Sequence, residues 1–209
     1  KATKNCYDHC SNEMAKGYHY FDIGAYSVSP DNELLAYSVD TVSRRQYDIF
    51  VKNIETGELY AEVIKNTTGN MVWANDNETL FYSVKDESLR SCKIMRHKLN
   101  DDLANDELVY FEEDTAFSCY VSKTKSRRYI MIISDSTMSS EVRFVDADRP
   151  YDEFKIFNKR EHNHLYGIGH YGNDFYILTN VDGAKNFKIM KTSVDKTEKE
   201  NWTELLAHR

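Results

Sequence analysis

Four short segments of this chain concentrate the side chains that do chemistry. CYDHC brings Cys6, His9 and Cys10 together, and HNHLYGIGH holds His162, His164 and His170. Thiolate and imidazole are zinc ligands, but a closed site needs four of them, and neither segment is followed by a second C-x-x-C or an equivalent pair. Both are weak metal patterns, so surface or turn residues are expected, with no metal and no cofactor. FEEDT sets Glu112, Glu113 and Asp114 side by side, either as a solvated loop or as an acidic rim facing a cationic ligand. SRRQY sets out Arg44 and Arg45, whose planar guanidinium groups suit a partner's carboxylates if they are not simply solvated.

The expected machinery of catalysis is missing. None of the eight glycines flanks a serine as G-x-S-x-G requires, and there is no Walker A loop and no H-E-x-x-H. The G-x-G at Gly167 and Gly169 reads as part of a tyrosine-rich loop with no helix after it. No residue is therefore assigned a catalytic role, and the chain by itself is expected to be inactive.

These segments must be positioned by something, and the sequence repeats itself. SPDNELLAYSVD (29–40) and ANDNETLFYSVK (74–85) share Asp, Asn, Glu, Leu, Tyr, Ser and Val at matching places, 45 residues apart (76 − 31 = 45). Ser134 in YIMIIS follows Ser83 by 51 residues, and Thr179 in DFYILT follows Ser134 by 45. Each unit contains a short apolar segment, a polar turn, a second apolar strand, a loop, and a third strand with two-residue alternation, as in YDIFVKNIETG (47–57). A fourth segment closes it: 60–64, 106–112, 153–157 and 203–207. Four short strands per 45 residues is the arithmetic of a β-propeller blade.

The expectation is an all-β chain of about four antiparallel four-stranded blades, near 20–66, 67–114, 115–160 and 161–209, with sixteen strands in four sheets. Leu35, Leu80, Ile132 and Ile177 are expected at equivalent buried places. Residues 12–21 form at most a turn or two of helix. Pro30, Asp31 and Asn32 mark the first hairpin, since proline presets φ and the Asx side chains bond the backbone.

Composition bounds the rest. With 41% hydrophobic and 29% charged residues the chain is globular, and a net charge of −7 argues against nucleic acid and for cationic partners. No apolar run reaches 18 residues and no leader pattern opens the chain, so neither a membrane span nor secretion is expected. Cys6, Cys10, Cys92 and Cys119 lack a disulfide spacing, which points to a reducing, cytoplasmic setting. The sequons at Asn66, Asn77 and Asn201 read as an Asn/Thr-rich surface.

Five phrases in order, VSPDNELLAYSVDTVSRRQYDIFVKNIETGE, VWANDNETLFYSV, KTKSRRYI, STMSSEVRFVDAD and HYGNDFYILTNVDGAKNF, resemble the propeller of the oligopeptidase B (protease II) branch of the prolyl oligopeptidase family of serine peptidases. The likeness covers roughly residues 12 to 209. It implies a seven-bladed propeller joined to an α/β-hydrolase domain that carries the Ser, Asp and His triad, absent from this chain. The propeller would cover the active site and admit short peptides, cleaved after Lys or Arg. The resemblance puts Arg44 and Arg45 on the blade end facing the hydrolase domain, in interdomain and substrate contacts, and gives Glu112, Glu113 and Asp114 the same candidacy. The acidic run is one residue shorter than the family's, and Leu165 stands where relatives often place an acid. The competing expectations are a stand-alone propeller acting as an interaction scaffold and a propeller enzyme with a metal at the His cluster. Uncovered end blades would also favour a homodimer of the fragment.

Overall fold

The computed structural model describes residues 12–208, which form fifteen antiparallel strands. The first unit contains β1 (Asp22–Val28), β2 (Leu34–Asp40), β3 (Tyr47–Asn53) and the opening half of β4 (Leu59–Trp73). The second contains the rest of β4, β5 (Thr79–Lys85), β6 (Ser91–Lys98) and β7 (Glu107–Phe111). The third is β8 (Ser118–Lys123), β9 (Tyr129–Asp135), β10 (Ser140–Asp146) and β11 (Lys155–Asn158), and the fourth is β12 (Tyr166–Tyr171), β13 (Asp174–Thr179), β14 (Lys188–Ser193) and β15 (Thr203–Leu206).

Fifteen strands stand where sixteen were expected, because β4 serves two blades. Its first half pairs with β3 and its second with β5, so the first two blades hydrogen-bond into one seven-stranded sheet. The strand turns the corner at Asn66 (φ 58°) and Gly69 (φ 87°), left-handed backbone at bulges where the pairing with both β3 and β5 shifts register. A helical turn occupies residues 12–14. Gly167 and Gly169 lie on β12 rather than in a loop.

The blades stack face to face, and each interface is a separate apolar layer. Leu34, Ala36, Ile49 and Val51 of the first blade meet Met71, Trp73, Leu80 and Tyr82 of the second. Phe81 and Ile94 meet Cys119, Val121, Ile130 and Ile132. Met131, Val142, Phe144 and Phe157 meet Tyr166, Phe175, Ile177 and Trp202. Full burial of one such side chain contributes about 1.5–3 kcal/mol, so three layers of this size hold the stack together.

Leu80, Ile132 and Ile177 are buried and all face the preceding blade, whereas Leu35 is only half-buried. The reason is position: Leu35 lies on the outer face of the first blade, against which no described blade packs. The matching hairpin bonds, from the N–H groups of Ser29, Ala74 and Thr124 to the carbonyls of Leu34, Thr79 and Tyr129, also correct the register. They pair Leu35 and Leu80 with Ile130, placing Ile132 two residues further along the same face. Ser134 is likewise one residue past the counterpart of Ser83, which is Ile133. No helix among the described residues is long and apolar enough to cross a membrane.

Candidate functional site

Antiparallel order sends the connections after the second and the fourth strands of every blade to the same end of the sheets. That end therefore carries residues 41–46, 86–90, 136–139 and 180–187, and also 112–117 and 159–165. Arg90 joins the two sets directly, its Nη1 donating to the carbonyls of Glu112, Asp114 and Phe117 at 3.1, 3.1 and 2.9 Å. Both charged motifs singled out above lie on this face.

The Arg44–Arg45 loop is built from beneath. Asp40, at the end of β2, is 1% exposed, and its carboxylate accepts four backbone N–H groups. Val42 and Ser43 donate to Oδ1 at 2.8 and 3.0 Å, and Arg44 and Arg45 to Oδ2 at 2.9 and 2.7 Å. Ser43 (φ 61°) and Arg45 (φ 54°) take the left-handed conformation that curls the amides around one anion. Lys85 of β5 donates its ammonium to the Arg45 carbonyl, and burial pushes the Lys85 amine below its usual pKa against the pull of Asp40.

Tyr47 fixes the far side of the loop. Its ring fills the space between Gly24 and Gly69, where an added Cβ would come within 2.6 and 2.9 Å of it, and its hydroxyl donates to Asp22 at 2.6 Å. That bond and burial raise the phenol to about 12. With the backbone held at both ends, the side chains of Arg44 and Arg45 are exposed, and neither guanidinium has an ion-pair partner among the described residues.

The acidic run divides. Glu112 is 3% exposed and fully engaged: Arg160 reaches it through Nη2 at 2.6 Å and Nη1 at 3.3 Å, Tyr110 donates at 2.7 Å, the Asp114 amide at 3.1 Å, and Ser134 adds a short bond. Burial alone would raise its pKa, but the Arg160, Ser134 and Tyr110 bonds win and hold it at about 2. Arg160 stacks 3.6 Å above the Phe117 ring and lies 3.9 Å from Asp114 and 4.0 Å from Glu141. Glu113 and Asp114 remain exposed. The run and the Arg44–Arg45 loop share an end of the molecule, but among the described residues no hydrogen bond or ion pair joins them.

The histidines do not converge. His164 and His170 sit at opposite ends of β12: His164 Nε2 bonds Thr179 at 3.0 Å, and His170 Nδ1 bonds Ser126 at 2.8 Å while its ring meets Tyr129 and Phe175 edge to face. Burial lowers both pKa values. His162 is exposed, and among the described residues no group of three His, Cys, Asp or Glu side chains is arranged to hold a metal. Cys6, His9 and Cys10 lie outside the described residues.

Sequence reasoning missed Asp40, Tyr47 and Arg160. One signal existed for Arg160: it follows the fourth strand of its blade as Glu112 follows that of the previous one, 48 residues earlier (160 − 112 = 48), about one repeat.

Comparison with known proteins decides the family. The profile described as "Prolyl oligopeptidase, N-terminal beta-propeller domain" matches residues 11–209. The chain belongs to the prolyl oligopeptidase family, a family of serine peptidases, as a β-propeller domain. It is 41% identical over 199 residues to Dipeptidyl aminopeptidase BI of Pseudoxanthomonas mexicana, covering 95% of this chain and 27% of that protein. Protease 2 of Moraxella lacunata is 32% identical over 182 residues, covering 86% of this chain and 26% of its own length. Among solved structures, oligopeptidase B from Leishmania major superposes with a TM-score of 0.90 at 28% identity, over 100% of this chain and 30% of that one. Oligopeptidase B from Trypanosoma brucei, closed with covalently bound antipain, gives 0.86 at 27% identity, over 95% of this chain and 28% of that one. The chain spans under a third of the length of these relatives.

Proposed function

We propose that this propeller covers the active site of a serine oligopeptidase, facing an α/β-hydrolase domain of the same parent protein through the end that carries Arg44 and Arg45. The observation that carries the reading is the construction of that loop. Four amides on a buried Asp40 hold the backbone, while two exposed guanidinium groups have no ion-pair partner among the described residues. A free arginine on a fixed backbone has lost little freedom to a partner inside its own domain, and its planar fork is ready for a carboxylate across an interface.

The stack of blades supplies no nucleophile and acts by exclusion: a rigid cap admits short, flexible peptides and keeps folded chains away. Similarity to Protease 2 and to oligopeptidase B supports cleavage of short peptides after Lys or Arg. The relative at 41% identity supports a second reading, release of dipeptides, because its name is that of a dipeptidyl aminopeptidase.

The full-length protein separates the two. Incubated with peptides of increasing length that carry one internal Lys or Arg, it is expected to cut after that residue, at a rate that collapses once the peptide is long or folded. Stepwise release of dipeptides from the N-terminus, regardless of where the basic residue lies, would favour the second reading. Equal turnover of folded proteins and short peptides would refute the capping role in both.

A further inference from the structure

The opposite end of the sheets, which carries the hairpins between first and second strands, holds a second charged feature that the family assignment leaves without a role. A cavity of about 130 Å3 lies there between the first three blades, lined by Ser29, Pro30, Asn32, Trp73, Lys123 and Arg127 among others. A void of this size holds a small organic group.

Lys123, at the end of β8, reaches across to the second blade. Its Nζ donates to the Trp73 carbonyl at 2.8 Å and to Asn75 Oδ1 at 2.7 Å. The orientation of that amide is fixed, since Asn75 Nδ2 donates to the Arg127 carbonyl at 3.1 Å and to Asp148 Oδ1 at 2.7 Å. An ammonium has three N–H donors, and among the described residues only two are matched by protein atoms. Arg127, on a backbone at φ 63°, lines the same cavity with its side chain exposed, and neither cation forms an ion pair among the described residues.

We infer that the Lys123–Arg127 cavity binds a small carboxylate, one oxygen taking the third Lys123 N–H and the carboxylate facing the Arg127 guanidinium. Two like charges beside one small cavity repel each other, and a single bound anion relieves both. The charged groups around Lys123 are Arg127, which lowers its pKa, and Asp148 and Asp76, which raise it. Both carboxylates keep their charge, taking hydrogen bonds from neutral donors, Asp148 from Asn75 Nδ2 at 2.7 Å and Asp76 from the Thr79 hydroxyl at 2.6 Å, and among the described residues neither forms an ion pair with Lys123. Burial is the largest influence on Lys123 and brings it down to about 8.

The test follows Lys123 itself. In the full-length protein labelled with 13C at lysine Cε, the Lys123 resonance is assigned by its loss in Lys123→Arg, and its titration midpoint is read with and without saturating acetate. A carboxylate bound at the amine should raise the midpoint by about one pH unit, in line with the effect of an opposite charge at this distance. Arg127→Gln, a change at an exposed side chain, should abolish most of that acetate-dependent rise while leaving exposed lysines unmoved. A midpoint insensitive to acetate, or a rise that persists in full in Arg127→Gln, would overturn the assignment. Two further arms identify the source of the carboxylate. A dipeptide with a free C-terminus that reproduces the rise, beside an amidated one that does not, assigns the cavity to peptide C-termini; a rise with acetate alone assigns it to free organic acids.

Discussion

The two charged motifs on the Arg44–Arg45 end of the sheets are each a run of adjacent like charges, one basic and one acidic, and they are built in opposite ways. In the SRRQY loop the buried charge is Asp40, which holds backbone amides, and the named arginines project free of it. In the FEEDT run the buried charge is a named residue, Glu112, whose carboxylate is matched by Arg160, Tyr110, Ser134 and an amide. The first arrangement leaves charge available to a partner. The second uses it to tie the end of the second blade to the central strand of the third and to the connection leading into the fourth. Adjacency of charges in a sequence thus says little about role; what decides is whether each charge finds its counter-charge inside the same domain.

The largest expected effect is at the buried pair. Glu112→Ala removes the bidentate partner of Arg160 and leaves it only the more distant Asp114 and Glu141, at 3.9 and 4.0 Å. Breaking a buried pair from one side costs about 3–5 kcal/mol, and these two carboxylates bring the expected loss to the lower end of that range. Denaturant unfolding of the full-length protein should show a loss of this size in the propeller transition, and a loss under 1 kcal/mol, about the worth of a surface pair, would place Glu112 among solvated residues. The same pair has a pH signature. Its folded pKa, about 2, lies below the ordinary 4.5, so its stabilisation is complete above 4.5 and disappears as pH falls toward 2. The difference in melting temperature between wild type and Glu112→Gln should be flat above that window and shrink within it. A difference that grows on acidification would reverse the sign and the argument.

A smaller loss is expected at Asp40. Replacing it with alanine strands four amides near the surface, where water recovers part of the bonding, at a net cost of about 2 kcal/mol. Hydrogen exchange at residues 42–45 should accelerate while the blade interiors stay protected. Unchanged exchange there would mean that the loop is held by Tyr47 and Lys85 alone.

Much of the fold was readable because hairpins announce themselves. Pro30, Asp31 and Asn32, and later Asn75, Asp76 and Asn77, are residues that turns require, and the strands between them recur at nearly one spacing. The third-strand segment predicted from residue 47 begins at the first residue of the observed β3. The continuity of β4 was not readable, since Asn66 and Gly69 are what a loop would also contain. Ser134 misled the register because serine recurs for local reasons at neighbouring positions. The Asp40 nest was hidden for another reason: one aspartate among the chain's thirty-four acidic residues carries no mark that its carboxylate will turn back onto its own backbone. Tyr47 was hidden because its partners, Gly24 and Gly69, lie on two other strands.

The smallest stability effect carries the largest functional weight, and it is at Arg45. An exposed arginine without an ion pair should contribute within about 0.5 kcal/mol to folding. The decisive measurement is Arg45→Ala in the full-length protein, with kcat/KM for a short basic peptide and the melting temperature of the propeller determined on the same preparation. The account predicts a clear fall in kcat/KM with a melting temperature unchanged within a degree or two. A large loss of propeller stability with normal kcat/KM would contradict it, placing Arg45 with Glu112 among the residues that hold the blades together.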